Sequence, residues 1–561
     1  MKAKRRQVKS RYNTPLLYML FLLIPLYGGY YPFAFLFCGA LLVVLILVES
    51  HRSSGIALPA GPDAYCLYLL AFCHLVSIPF AVSPGMAFTG FLRTLVFVLL
   101  FLSVCYYTTD EIELMLDAAA HEGAALSALY TVSFVANRVS GVPDLNGRID
   151  GPFQYANTWA LFQLICLILL ACSKKKTRVT TAEIAALALG IGLTGSRGVL
   201  LLLLALMIFK GVSVFLTKEE VRSLVPILFF SLTALIVSGL LSGGLLWERL
   251  LRIPSSSSLN GRLLYWADGL RMLRKHPLGV GYGGYRYMQA LEQTGVYRSR
   301  WIHNEYLQFA LDGGILAGIA FAALALVMLC RKGISPRRRI VMLVIAVHAM
   351  VDFDFQYFAL VFLFFLCSAS EHRKLLVFPR SRSRWIAAGL SGAVLCGCFL
   401  YFSTVYLLDF SGRAAWDLFP ADLELAEKKL LRFPTAEDGE GMADFILRST
   451  DLSTAAWDCK FQASRHRLRH SEMLDAKYHF LRLNRYQAEA YAEFADLFET
   501  AYRESGGGEH AAYRSLALAV IAQIEDVREN TSPLAYRIAD SPGLEFIIPV
   551  QTRLKRILQE E

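Results

Sequence analysis

The chain has 561 residues, of which 55% are hydrophobic, a formal net charge of +10 and a mean hydropathy of +0.44. That is too apolar for a soluble globular chain of this length. Ten of the eleven cysteines lie in or beside apolar runs and only Cys459 stands well apart, so no disulfide framework is expected and the thiols read as small packing residues.

Apolar runs close to the length needed to cross about 30 Å of hydrocarbon as helix recur over the first 405 positions. They predict an all-α, polytopic transmembrane helix bundle of about 12–13 spans. The thirteen candidates are 15–27, 30–48, 64–82, 86–106, 117–136, 157–172, 179–194, 198–216, 223–242, 311–330, 338–352, 355–370 and 385–405. Lys2, Lys4, Arg5, Arg6, Lys9 and Arg11 precede the first run with no small-residue cleavage site, so an uncleaved first span is expected. Cytoplasmic loops carry the excess of Lys and Arg. Alternation from a basic N-terminus then predicts inside loops at 49–62, 107–116, 173–178, 217–222, 331–337 and 371–384, all fitting except the acidic 107–116. Basicity is therefore a topology signal and not evidence for nucleic acid. The same alternation places 137–156, a large loop at 243–305 and everything after 405 outside.

The first outside loop holds Arg138, Arg148, Asp150 and Gly151-Pro152-Phe153-Gln154-Tyr155. The second opens on the tetraserine at 255–258 and Asn260-Gly261, which read as a turn and flexible link. From Arg262 to His276 the pattern becomes helical, with Leu263, Trp266, Ala267, Leu270 and Leu273 on one face, as expected of a helix lying on the bilayer surface. Pro277 stops it and Gly279, Gly281, Gly283 and Gly284 follow; this glycine run comes after a proline rather than a strand, so it is not a nucleotide loop. Residues 406–561 lose their hydropathy and read as a soluble α-helical domain, tetratricopeptide-like in character although no clean repeat period is readable. Its patterns are Leu423, Ala426, Leu430, Leu431 and a longer one over 476–503.

Two positions stand out for chemistry. His303, in Trp301-Ile302-His303-Asn304-Glu305-Tyr306, sits where a polar loop meets a span, and Arg197, in Ser196-Arg197-Gly198, sits at the outer junction of two spans. An arginine beside small residues can turn its guanidinium into a cavity and pair with phosphate, or it can snorkel to headgroups. Interfacial histidines are common in structural roles as well. Arg93, about two helical turns below the outer face, is costly in lipid and is expected to face the bundle interior, as a third phosphate contact or a helix-to-helix donor. Arg300, Arg298 and Arg286 are reserves. His74 and His348 read as core residues. Asp352-Phe353-Asp354 has the spacing of a cation-chelating Asp-x-Asp, but simple solvation at a helix end is the expected role. The outer-loop aromatics (Tyr282, Tyr285, Tyr287, Tyr297, Trp301, Tyr306) read mostly as an interfacial belt.

Taken in order, Ser196-Arg197-Gly198, Gly261-Arg262 with Trp266, His276-Pro277-Leu278-Gly279-Val280-Gly281, and His303-Asn304-Glu305-Tyr306 with Gly313-Gly314-Ile315-Leu316-Ala317-Gly318 resemble the O-antigen ligase and polymerase family. Gly151-Pro152-Phe153 with Asn157, and His348 with Asp352, extend the resemblance, which covers about residues 15–370. It implies a glycosyltransferase of the bacterial inner membrane, moving a glycan from a polyprenyl-pyrophosphate carrier to a lipid, glycan or protein acceptor at the extracytoplasmic face, with no metal or other cofactor. Carried over, His303 is the catalytic histidine and Arg197 and Arg262 hold the pyrophosphate, with Arg93, Arg300, Asn304 and Asn157 as secondary candidates. Two guanidiniums would stabilise the charge that develops on the leaving oxygen, and imidazole suits removal of a hydroxyl proton near neutral pH. The C-terminal helices would bind acceptor or a protein partner. The alternative from another class is a transporter of lipid-linked or polyanionic cargo; its path would need ionisable groups throughout the membrane depth, whereas the basic candidates cluster at the outer side.

Overall fold

The computed structural model describes residues 15–559 except 53–54, 141–146, 174–176, 218–231, 234–235, 241–256, 371–372, 380, 414, 507 and 539–543. The chain is all-α, as expected, with a single two-stranded ribbon among the described residues. The bundle comprises α1 (Pro15–Leu23), α2 (Pro32–Arg52), α3 (Pro62–Ser77), α4 (Pro84–Val104), α5 (Thr109–Val139), α6 (Ala156–Ala171), α7 (Arg178–Thr194) and α8 (Arg197–Thr217). It continues with α9 (Ser257–Lys275), α10 (Tyr285–Glu292), α11 (Glu305–Gly313), α12 (Ile315–Leu329), α13 (Pro336–His348), α14 (Phe358–Cys367) and α15 (Arg382–Phe410). Local chemistry sets several starts. Ser83, Thr108, Thr177, Ser335 and Ser381 each accept a first-turn N–H, and Thr108 closes a reciprocal capping box with Glu111.

Every expected span falls on helix where it is described; most of 223–242 lies outside the described residues, and its described residues, 232–233 and 236–240, are helical. Among the described residues, four helical segments are long and apolar enough to cross a membrane: α2, α3 continued to Phe80, α4 and α15; α6, α12, α14 and the first part of α8 are shorter apolar helices. Two expectations shift. The fifth helix is 31 residues long because its capping box recruits the acidic stretch after Thr108, and α15 runs to Phe410 rather than stopping at 405. On α2, Phe37, Leu41, Val44 and Val48 form an exposed stripe, and on α15 Ile386, Leu390 and Val394 do the same. Exposed apolar stripes of this kind are surfaces for lipid.

The loops sort into two ends. At one end, β1 (Gly55–Pro59) pairs antiparallel with β2 (Leu375–Pro379), Gly55 facing Pro379. There Arg331 reaches Asp63 at 2.5 Å, while Arg337 and Arg338 reach Glu113 at 3.0 and 3.3 Å. Expected inside loops 49–62, 107–116, 331–337 and 371–384 therefore share one end, and the acidic 107–116 is the counter-charge of the basic 331–337. At the other end, the Trp301 indole donates to Tyr30 Oη at 3.0 Å, Val82 N–H to Val280 O at 3.0 Å, and Arg148 Nε to Thr194 O at 2.6 Å.

The C-terminal helices are α16 (Leu423–Leu430), α17 (Ala436–Ser449), α18 (Thr454–His466), α19 (His470–Leu483), α20 (Ala488–Glu504), α21 (Gly508–Asn530) and α22 (Leu544–Gln559). The pattern over 476–503 is two helices, broken at Asn484–Gln487, and it buries Leu481, Tyr491, Phe494, Phe498 and Tyr502. Lengths from 8 to 23 residues explain why no repeat period was readable.

These helices dock on the end that carries Trp301. Met86 and Tyr287 share a small core with Leu423, Ala426 and Leu430. Gly85 N–H donates to Ala421 O at 3.1 Å, and a Cβ at Gly85 would lie 2.3 Å from the Ala421 carbonyl carbon, so only glycine permits the approach. Asp422 caps α16 and accepts from Tyr406 Oη at 2.5 Å, and Tyr406 meets Thr89 at 2.7 Å. Burial raises the Asp422 carboxyl from its ordinary 3.8 to about 6. Since the folded value lies above the unfolded one, its contribution is full below pH 4 and lost as pH rises through 6. Asp422→Asn keeps the cap and removes the charge. In calorimetry it is expected to stabilise the junction at pH 8 by on the order of 3 kcal/mol and to leave it unchanged at pH 3.5.

Candidate functional site

The site is built around the turn between α13 and α14. Asp352 and Asp354 are buried at 1% and 0% exposure, which overturns the expectation of two solvated carboxylates at a helix end. Asp352 is a hub. Its Oδ1 accepts from Tyr155 Oη at 2.9 Å, His303 Nδ1 at 3.1 Å and its neighbour Phe353 N–H at 3.0 Å. Its Oδ2 accepts from Asn157 Nδ2 and Arg262, both at 2.9 Å. Burial by itself would raise the Asp352 carboxyl; the hydrogen bond from His303 and the charge of Arg262 outweigh it and hold the group well below the usual carboxylate range. The Tyr155 phenol is pushed up by burial and by the charge of Asp352, so it stays a donor.

His303 is the strained member. Its φ is +54°, a left-handed conformation that a non-glycine residue adopts only where its surroundings impose it. Those surroundings are visible. Trp266 Nε1 donates to the carbonyls of Ile302 and His303, each at 3.2 Å, and Ile302 N–H donates to Gln308 Oε1 at 3.1 Å. Glu305 N–H reaches Ala349 O at 2.8 Å, tying the start of α11 to the Asp352 turn. The ring packs edge-on against Phe353, centroids 4.9 Å apart. With Nδ1–H given to Asp352, the neutral imidazole carries its lone pair on Nε2. That nitrogen has no hydrogen-bond partner among the described residues, and the side chain keeps 19% of its surface exposed.

Arg262 and Trp266 lie four residues apart on α9, hence on one face, and both reach the His303 region. The helix thus differs from expectation: Trp266 turns inward with Leu264, Asp268 and Met272, while Leu259, Leu263, Ala267 and Leu270 are exposed. Arg197 is the first residue of α8, half-buried, at the tight junction where Gly195 ends α7 in a left-handed conformation. Thr194 accepts from Arg148, Arg148 also donates to Asn157 Oδ1 at 2.9 Å, and Asn157 donates to Asp352. A continuous relay therefore joins the Arg197 turn to the hub.

Other nominations fall elsewhere. Arg93 is buried, donates to the Phe355 carbonyl and is ringed by Phe97, Tyr282 and Phe309; it braces the bundle and does not join the Asp352 cluster. Arg300 grips Glu424 of the C-terminal helices at 2.7 and 3.3 Å, and Arg286 approaches the same carboxylate at 3.5 Å. Asn304 is the N-cap of α11, its Oδ1 taking Leu307 N–H at 3.0 Å. Tyr285, Tyr287 and Trp301 are buried in protein, which corrects their reading as a lipid-facing belt. The Asp-x-Asp pair does not converge, because Asp352 faces His303 and Arg262 whereas Asp354 faces His348 at 2.6 Å and Thr158 at 3.0 Å. Two glycine motifs explain each other: a Cβ on Gly279 would lie 2.6 Å from Gly314 N. The sequence offers Asp352 only as half of an Asp-x-Asp and as a partner of His348 in the resemblance, and Tyr155 and Arg148 only as residues of the first outer loop; the Tyr155–Asn157 pair beside Gly151-Pro152-Phe153 is the nearest signal of the hub.

Residues 183–322 match the family model described as O-Antigen ligase. The matched stretch includes Arg197, Arg262 and His303 and stops before Asp352. No curated protein and no solved structure matches the chain. The chain thus resembles the O-antigen ligases, and glycan transfer is the class of activity that the resemblance supports.

Proposed function

We propose that this relative of the O-antigen ligases transfers a glycan from a polyprenyl-pyrophosphate carrier to an acceptor hydroxyl, at the outer face of a bacterial inner membrane and without a metal. The acceptor oxygen attacks the anomeric carbon from the side opposite the carrier and inverts it. His303 Nε2 takes the hydroxyl proton as the new C–O bond forms, and the electron pair of the old C–O bond leaves on the pyrophosphate. The imidazolium so formed lies against the Asp352 carboxylate, which stabilises it as the buried carboxylate of a triad does. Arg262 and Arg197 meet the added charge on the leaving diphosphate; a guanidinium binds phosphate oxygens in pairs. The proton then leaves His303 to solvent.

The observation that carries this reading is the His303–Asp352 contact, which leaves Nε2 open while five donors hold the carboxylate in place. Residues 406–561 are read as a separate extracytoplasmic helical domain that binds acceptor or a protein partner at the same mouth; the contact of Arg300 with Glu424 supports that position.

Purified protein in vesicles, given a defined polyprenyl-pyrophosphate oligosaccharide and candidate acceptors, should release the carrier pyrophosphate with or without chelator. His303→Ala should lower that release by about 10²–10⁴-fold while the protein stays inserted. Full activity in this variant, or cargo movement without bond cleavage, would contradict the reading, the latter in favour of a transporter.

A further inference from the structure

We propose that His348 is a second histidine of this site, donating from Nε2 to a phosphate oxygen of the leaving carrier at the N-terminus of α8. The inference rests on the transfer reading above and deepens it by giving the diphosphate a floor.

His348 closes α13 and is 2% exposed. Its Nδ1 lies 2.6 Å from Asp354 Oδ2, and Asp354 Oδ1 is held by the Thr158 hydroxyl at 3.0 Å. The ring is thus fixed with its other edge turned to α8: Nε2 lies 3.6 Å and Cδ2 3.8 Å from where a Cβ on Gly198 would be. Gly198 is the second residue of that helix, whose first turn follows Ser196; Leu200 N–H bonds to the Ser196 carbonyl. The first amides of a helix have no partner within it and carry the positive end of its dipole, which favours anions. A buried histidine whose free nitrogen has no described partner and is aimed at that helix start is a second, independent pointer to an anion.

The two carboxylates on one turn divide the work. Asp352 and Asp354 flank Phe353 and point to different histidines, so His303 stands beside Arg262 while His348 stands beside the residue that follows Arg197. Because Nδ1 gives its proton to Asp354, Nε2 donates only from the imidazolium, and the Asp354 carboxylate supplies the counter-charge that form needs. No bond is made or broken at His348; it is a positioning and binding residue.

The test separates binding from turnover. Full-length protein in zwitterionic nanodiscs is titrated with farnesyl diphosphate, with farnesyl monophosphate and phosphatidylglycerol as parallel arms. His348→Met, of similar length but without a donor, should weaken diphosphate binding roughly tenfold to a hundredfold, the worth of one hydrogen bond to a charged group. His348→Gln, which keeps an N–H near the Nε2 position, should restore most of it. Equal binding by His348→Met, His348→Gln and wild type overturns the inference alone. Equal affinity for phosphatidylglycerol overturns it by assigning the site to a lipid headgroup. Failure of wild type to bind any diphosphate overturns it together with the transfer reading.

Discussion

Asp352→Asn is expected to lower the transfer rate by roughly three to four orders of magnitude, the scale seen when a triad carboxylate becomes an amide. The reason is geometric. Asp352 accepts from five donors, with Tyr155, His303 and Phe353 N–H on Oδ1 and Asn157 and Arg262 on Oδ2. An amide has one acceptor oxygen and one NH₂ group. If the oxygen faces His303, the NH₂ points at Arg262 and Asn157, both of which need an acceptor. If it faces Arg262, the NH₂ points at His303 Nδ1, favours the tautomer with its lone pair there, and removes the base from Nε2. Single-turnover measurements with enzyme in excess over donor should show the loss in the chemical step, while binding of the carrier diphosphate stays within a few-fold of wild type. A rate within tenfold of wild type would show that the carboxylate does not orient the base.

Arg262→Ala carries the second large effect. It removes a guanidinium from the leaving diphosphate and the arginine partner of Asp352, so kcat/KM for donor should fall by about 10²–10³-fold. Arg262→Lys should recover little of this, since an ammonium cannot hold Asp352 and a phosphate oxygen together as a planar fork does. Because Arg262 and His303 share the carboxylate, the Arg262→Ala and Asp352→Asn effects should be far from additive. Additive losses would place Arg262 outside the unit.

How far this arrangement was legible depended on whether the partner was local. Arg197 and His303 stood out because each lies at a polar junction beside small or capping residues, and the spans stood out because about 20 apolar residues have few soluble explanations. Asp352 was misread for the same local reason: an acid at the end of an apolar run normally meets water. Its burial depends on Tyr155 and Asn157, 197 and 195 positions earlier, and on Arg262 and His303, 90 and 49 positions earlier. No periodicity reports contacts of that range. Arg300 reads from the sequence as a reserve arginine of the outer loop, and its carboxylate partner lies 124 positions later, on the C-terminal helices. Asn304 was within reach of sequence reasoning, since an Asn immediately before Glu at a helix start is a common cap. Ionisable groups are also not confined to the outer side. Arg93, Glu305 and Asp312 lie buried in the bundle; Arg93 donates to the Phe355 carbonyl, Glu305 accepts from Gln356, and Asp312 accepts from Gln308 through Oδ1 alone.

The most direct measurement is a structure of the full chain in a lipid bilayer with a non-cleavable phosphonate analogue of a polyprenyl diphosphate sugar. The diphosphate is expected at the mouth that carries His303, within hydrogen-bond reach of Arg262 and Arg197, with the anomeric carbon facing His303 Nε2. Density at the opposite end, beside Arg331 and Arg337, or at the mouth but remote from His303, would contradict the account.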